Sequence, residues 1–358
     1  MEVGVPFRIE FFIADKMDFQ ERLRRRNEFD ASVVYGTRKF NLLTKRDNHL
    51  AYRESHDNQW TDPDTGLIYE RFSERRVCPL CKSGDYETVF IKSGFPHVRC
   101  INCSLVYVNP ILNKEEYKKL WSAEDSWEAV LESAEQIEMQ SLEARYSLDI
   151  AELYFNDKER GDIGICDVGC GPGTLLGEAK ARGYYTFGIE PNRRCHKFLA
   201  EKGIDYIGDF FPLKQEVKQR FDCVFLLNTL EHLREPLEIV LEAKKVLKPA
   251  GIIFISVPCI DALVNRIMHE KAGVFGGHTH IQFFSIATLS LLFKRAGFRV
   301  LEYESIITEI GVIKNYLSFK DPYLGDNADA LDFITPEAIY KNHLARNINM
   351  VGRLNEKI

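Results

Sequence analysis

No stretch of this 358-residue sequence approaches the roughly 20 consecutive apolar residues that cross a bilayer, so membrane insertion is not expected. Glu2, Glu10 and Asp15 stand where a signal peptide needs a basic start and an apolar run, so a secretory leader is not expected either. Basic charge is not in excess. The 47 Lys and Arg against 53 Asp and Glu leave a net charge of −6, which argues against nucleic acid as a partner. The one compact basic run, Arg22-Leu-Arg-Arg-Arg26, suits a solvated helix face as well as a binding patch. Nine cysteines without a leader point to a reducing cytoplasm, where close cysteine pairs hold metal more often than they form disulfides. With 45% hydrophobic and 28% charged residues the chain reads as an ordinary globular protein, long enough for two or three units.

The dinucleotide fingerprint G-x-G-x-x-G is absent too, although a glycine-rich turn is present. Residues 163–173 read Ile-Gly-Ile-Cys-Asp-Val-Gly-Cys-Gly-Pro-Gly: an apolar run ending in Asp167, then Gly169, Gly171 and Gly173. Three glycines in five residues mark a turn where backbone approaches a ligand or takes positive φ, and Thr174 onward reads as the helix after it. An acid at position 167 would repel a pyrophosphate over the helix start and suits a ligand bearing an ammonium group.

On these residues the chain resembles the class I S-adenosylmethionine (SAM) methyltransferases, whose D/E-x-G-x-G-x-G motif is matched by Asp167, Gly169, Gly171 and Gly173. The resemblance spans about residues 140 to 305. It implies an α/β fold: a seven-stranded Rossmann-like sheet, here behind an N-terminal zinc-ribbon domain. Tyr184 to Glu190 reads as a second strand ending in an acid that can accept from both ribose hydroxyls. Asp209 and Phe210 resemble the family's adenine segment, the acid taking the exocyclic amine and the ring covering the base. Residues 221–228 read as strand four. Residues 246–258 resemble the L-K-P-G-G turn into strand five, with Ala250 in place of the first glycine.

A second motif precedes the first. Cys78-Pro-Leu-Cys81 and Cys100-Ile-Asn-Cys103 are separated by 18 residues, a strong signal for a closed, structural tetrathiolate zinc site. His97, between them, reads as a surface residue and not a ligand. The other five cysteines read as small hydrophobes. A cysteine ribbon ahead of a SAM domain resembles a group that includes sugar C-methyltransferases of antibiotic pathways and related glycan and natural-product enzymes. Residues 1–72 carry no recognised motif and suit a cap, a dimer arm or a partner-binding segment, so a homodimer stays open. The expected division is 1–72 unrecognised, 73–110 ribbon, 111–160 helical connector, 161–305 SAM domain, and 306–358 a helical segment with Met350 to Ile358 as the reversed last strand.

Methyl transfer is an in-line displacement, and a base is needed only where the acceptor has a proton to lose. After strand four, Asn228-Thr-Leu-Glu231-His232 occupies the place that in the family faces both the methionine end of SAM and the acceptor. His232 is a candidate base oriented by Glu231. The segment resembles the E-x-x-E-H of ubiquinone-pathway O-methyltransferases, but Asn228 replaces their first acid, so no catalytic magnesium is expected. His280, in the glycine- and aromatic-rich segment after strand five, is a second histidine candidate, and Ser285 reads as the cap of a helix that Gly297 ends.

The expectation is a SAM-dependent methyltransferase acting on O or C of a small or carrier-linked metabolite, a nucleotide-linked or glycan sugar being favoured. An RNA methyltransferase that grips RNA with its ribbon, and a SAM-binding protein without catalysis, are the alternatives.

Overall fold

The computed structural model describes residues 20–31, 58–122, 134–155, 158–209, 213, 217, 220–320 and 332–355. Its front part holds β1 (Ser73–Glu74), β2 (Tyr86–Lys92), β3 (Phe95–Cys100), β4 (Val106–Val108) and β5 (Ile111–Leu112). The larger part alternates β6 (Gly164–Val168), β7 (Tyr185–Ile189), β8 (Asp205–Ile207), β9 (Phe221–Leu227) and β10 (Leu247–Pro258) with helices. It ends on β11 (Gln282–Phe283), β12 (Phe298–Ile306) and β13 (Asn347–Leu354).

Seven of these strands form one sheet in the order β12-β13-β10-β9-β6-β7-β8. The pairs from β8 to β10 are parallel, while β13 runs antiparallel to both β10 and β12. This is the Rossmann-like α/β sheet expected from the glycine motif. The last strand spans Asn347–Leu354, whereas the sequence suggested residues 350–358. Strands β6, β9 and β10 are covered on both faces, which is why they read as nearly continuous apolar runs. Crossovers are the helices Thr174–Ala181, Arg193–Glu201, Pro236–Lys245 and Ile286–Ala296. The last of these starts on a Ser285–Thr288 capping box and stops at Gly297, φ +84°, as the sequence suggested.

Two apolar clusters fill the two faces of the sheet. One contains Ile165, Phe225 and Phe254 with residues of the Ala134–Glu152 helix. The other joins Leu226, Ile253 and Phe293 to Cys78, Leu80, Val98 and Tyr107, so the cysteine segment and the large sheet share one core.

The cysteine segment is not a closed unit in its hydrogen bonding either. Its sheet has the order β11-β4-β3-β2, and β11 comes from the chain after β10, with Gln282 opposite Tyr107 and Phe283 opposite Val106. His97 is fully buried, contrary to its reading as a surface residue. Its ring stacks on Phe90 at 4.4 Å and touches Phe275 and Phe283, so it belongs to an aromatic cluster between the two parts.

The helix at 20–31 corrects the reading of the basic run. Arg24 and Arg25 pair on the exposed side with Glu21, but Arg22 and Arg26 are buried. Arg22 binds Glu302 with two hydrogen bonds of 2.8 and 3.2 Å, and Arg26 lies 3.7 Å from Glu304. The Tyr154 and Tyr146 hydroxyls donate to the same two glutamates. A register shift between Val300 and Glu302 in β12 accompanies this inward placement of both acids. The run therefore anchors a helix and leaves no continuous basic patch.

Candidate active site

At the carboxyl ends of β6, β7 and β9 lies a cavity of about 550 Å³, a size suited to a nucleoside-bearing ligand. Its walls include Asp167, Gly169, Gly171, Glu190, Asp209, Asn228 and His232, so one cavity gathers these residues from four loops. Gly173 stands at its edge as the left-handed residue before the Thr174–Ala181 helix. Phe210 lies outside the described residues.

The turn geometry explains the glycines. A β-carbon on Gly169, φ +76°, would meet the Thr229 side chain at 2.7 Å, and one on Gly173, φ +72°, would meet Leu199 at 2.5 Å. Gly171, φ +53°, has open space where a β-carbon would be, on the side where a ligand enters.

Two acids line this space. Asp167 is buried, and its Oδ1 has no hydrogen-bond partner. Burial, then the nearby Glu190, raises its carboxyl well above the ordinary range. Glu190 is raised by burial, and its oxygens accept from the Gly171 and Asn192 amides at 2.8 Å each. An orphaned buried carboxylate beside a second one calls for a cation and hydrogen-bond donors, both of which SAM carries. The residues present fit that cofactor.

The other side of the cavity is built differently. Tyr117 and Trp121, from the Lys114–Ser122 helix, line the cavity beside His232, whose ring lies 5.0 Å from that of Trp121. The His232 Nδ1 donates to the Thr279 carbonyl at 3.0 Å, which leaves the Nε2 lone pair as the basic position. Burial lowers this imidazole to about 4, against the pull of the Thr279 and Asn228 carbonyls.

Glu231 does not orient the imidazole as the sequence suggested. Its Oε1 is 3.8 Å from His232 Nε2, beyond hydrogen-bond reach, and the Thr279 carbonyl does that work. Glu231 is instead a buried acid with an unpartnered Oε2, pushed up to about 8 by burial and then by Glu143. His280 is held by the Val274 carbonyl, with its ring 4.8 Å from that of His232. Glu231, His232 and His280 offer ligand atoms within 4.8 Å of one another.

Sequence reasoning missed Glu143. It projects from the Ala134–Glu152 helix into the cavity wall and accepts from Asn228 Nδ2 at 2.9 Å, while Asn228 Oδ1 accepts from Asn347 Nδ2 at 2.8 Å. The chain thus has an acid in space beside Asn228, where the resemblance showed one missing in sequence. The side chain of Asn228, at φ +49°, is engaged by these two residues.

Away from the cavity, the four thiols Cys78, Cys81, Cys100 and Cys103 lie within 4.8 Å of one another, with Cys78–Cys103 at 3.5 Å and Cys81–Cys100 at 3.4 Å. A tetrahedron with zinc–sulfur bonds of about 2.3 Å has edges of roughly 3.8 Å, so the set fits one tetrathiolate zinc.

Residues 139–303 match a family model described as a methyltransferase domain. Together with the sheet order and the glycine motif, this match places a SAM-dependent methyltransferase domain over those residues, a little under half of the chain. Among curated proteins, the chain is 38% identical over 117 residues to a ubiquinone biosynthesis O-methyltransferase of Actinobacillus pleuropneumoniae, covering 29% of this chain and 50% of that protein. The chain thus spans about half the length of that relative. A protein of the same name from Aeromonas salmonicida is 25% identical over 203 residues, covering 51% of this chain and 82% of its own. Among solved structures, a SAM-dependent methyltransferase from Archaeoglobus fulgidus aligns with a TM-score of 0.42 at 20% identity, over 63% of this chain and 97% of that one.

Proposed function

We propose that this chain is a SAM-dependent methyltransferase that methylates O or C of a small or carrier-linked metabolite, with a sugar or glycan as the favoured acceptor. The observation that carries this reading is the single cavity that joins the orphaned Asp167 and the Glu190 acid to His232, Tyr117 and Trp121. SAM supplies an electrophilic methyl group. Asp167 faces the ammonium group, Glu190 accepts from the ribose hydroxyls, and Asp209 takes the adenine amine. His232 Nε2 receives the proton of an acceptor hydroxyl or acidic C–H, and Thr279 keeps the other ring nitrogen protonated during that transfer. Tyr117 and Trp121 offer flat apolar faces to an acceptor ring.

The four thiolates hold one structural zinc, which leaves no open position for catalysis. Relatives named for O-methylation in ubiquinone biosynthesis support a small-molecule acceptor. A grip on RNA is disfavoured by the burial of Arg22 and Arg26 and by the net charge of −6.

Calorimetry with S-adenosylhomocysteine, followed by a panel of nucleotide sugars, glycans and phenols with released S-adenosylhomocysteine as readout, tests the reading. Binding plus turnover of one acceptor class supports it. A folded, zinc-loaded protein that does not bind S-adenosylhomocysteine overturns it.

A further inference from the structure

All five consecutive carbonyls from Leu230 to Arg234 accept a hydrogen bond from outside the loop they belong to. Gln282 Nε2 donates to Leu230 and Leu233 at 2.6 Å each, and the Ile281 amide donates to Glu231 at 3.0 Å. The Tyr117 hydroxyl donates to the His232 carbonyl, and Arg76 Nη1 donates to that of Arg234 at 3.0 Å. None of these donors comes from the large sheet. Gln282 and Ile281 belong to or adjoin β11, which is a strand of the cysteine segment's sheet, and Arg76 precedes Cys78 by two residues.

Arg76 binds in an unusual way. Its guanidinium donates to three carbonyls, those of Arg234, Ile281 (2.7 Å) and Val108 (3.3 Å), and lies 5.4 Å from the Tyr107 ring centroid. It therefore spans the loop after β9, the chain entering β11, and β4. Gln282 is fully buried in β11, and both of its amide hydrogens go to carbonyls that bracket His232. A planar five-donor fork and a carboxamide can each hold two or more carbonyls at fixed angles, which a single ammonium or an apolar side chain cannot.

We propose that Arg76 and Gln282 are positioning residues: through them the ribbon sheet, and not the nucleotide sheet, fixes the Leu230–Arg234 loop and the orientation of the His232 imidazole. This rests on the reading of His232 as the acceptor-side base. The zinc ribbon then has a task beyond its own folding, because its sheet sets the wall against which the acceptor is placed. Strands β6 and β7 and the glycine turn take part in none of these five hydrogen bonds.

The test uses the full zinc-loaded chain with Gln282→Met, which keeps the volume and removes the donors, and Arg76→Lys, which keeps the charge and removes the fork. Thr88→Val, on the exposed side of β2, is the control. Hydrogen exchange by mass spectrometry should rise at least about tenfold for peptides covering 228–235 in both variants and stay unchanged for 164–189. In histidine-labelled protein, the nitrogen resonances of His232, assigned through His232→Gln, should shift from one tautomer toward an average of two. Affinity for S-adenosylhomocysteine should stay within about threefold. Unchanged exchange at 228–235 with an unchanged His232 tautomer overturns the proposal, and so does exchange that rises equally at 164–189. If Gln282→Met does not fold, Arg76→Lys carries the same readings. Loss of S-adenosylhomocysteine binding by the unaltered chain would sink the methyltransferase reading and leave the exchange result to stand on its own.

Discussion

Asp167 is a buried acid that either holds its proton or meets a ligand's cation. A carboxyl buried at 4% exposure, with one oxygen unpartnered and a second acid nearby, costs the protein on the order of several kcal/mol of solvation in its charged form. Asp167→Ala should therefore keep or slightly raise the melting temperature while weakening S-adenosylhomocysteine binding by about 2 kcal/mol or more, roughly 30-fold, in calorimetry. Glu231 is a second such group. In the unfolded chain it ionises near the ordinary 4.5, whereas folded it keeps its proton to about 8. Its stabilising contribution is thus full below 4.5 and lost as the pH rises toward 8. His232, depressed to about 4 from 6.5, works the other way and loses its contribution as the pH falls through that window. Glu231→Gln should gain in melting temperature relative to the unaltered chain between about pH 5 and pH 8, and parallel curves would reject the buried acid. Asp167 and Glu190 were legible because a motif places them at strand ends. Glu143 was not, since it sits in a helix among other glutamates and only the fold brings it to Asn228 at the end of β9. His97 was misread because a polar side chain in a short strand suggests solvent, while here the rings of Phe90, Phe275 and Phe283 enclose it.

At the scale of elements, the 20–31 helix is held by charge inside the protein. Removing one partner of a buried pair leaves the other unmatched, so Arg22→Met should cost about 3 kcal/mol in denaturant unfolding. The double variant Arg22→Met, Glu302→Leu should recover most of that loss; a double variant no better than the single one would assign the effect to the shape of the site. The long strands and crossover helices were legible from apolar runs, caps and glycines, as at Ser285 and Gly297. β11 was not, because two residues carry no periodicity and its pairing with β4 depends on a distant part of the chain. The boundary of β13 slipped for a related reason: its polar members Asn347 and Asn349 are buried by tertiary contacts that composition does not reveal.

For the whole molecule, the shared core means that the four-cysteine cluster and the large sheet should lose structure together. Metal analysis should find about one zinc per chain, and stripping it with a chelator should lower the melting temperature of the methyltransferase domain by at least about 5 °C. A domain that melts at the same temperature with and without metal would make the ribbon an independent appendage. The cysteine spacing made the site itself readable. Its fusion to the active-site loops was not readable, because it is carried by one arginine, one glutamine and a two-residue strand.

The reversed strand β13 lies between β10 and β12 and brings Asn347 to Asn228 at the floor of the cavity. Without β13, the edge of β10 at Ile253, Phe254 and Ile255 has no partner on that side. Asn347, which engages Asn228 in the cavity wall, thus stands more than a hundred positions after the glycine turn. A chain halted before residue 347 would hold the glycine turn, an open edge on β10 and no Asn347 to engage Asn228.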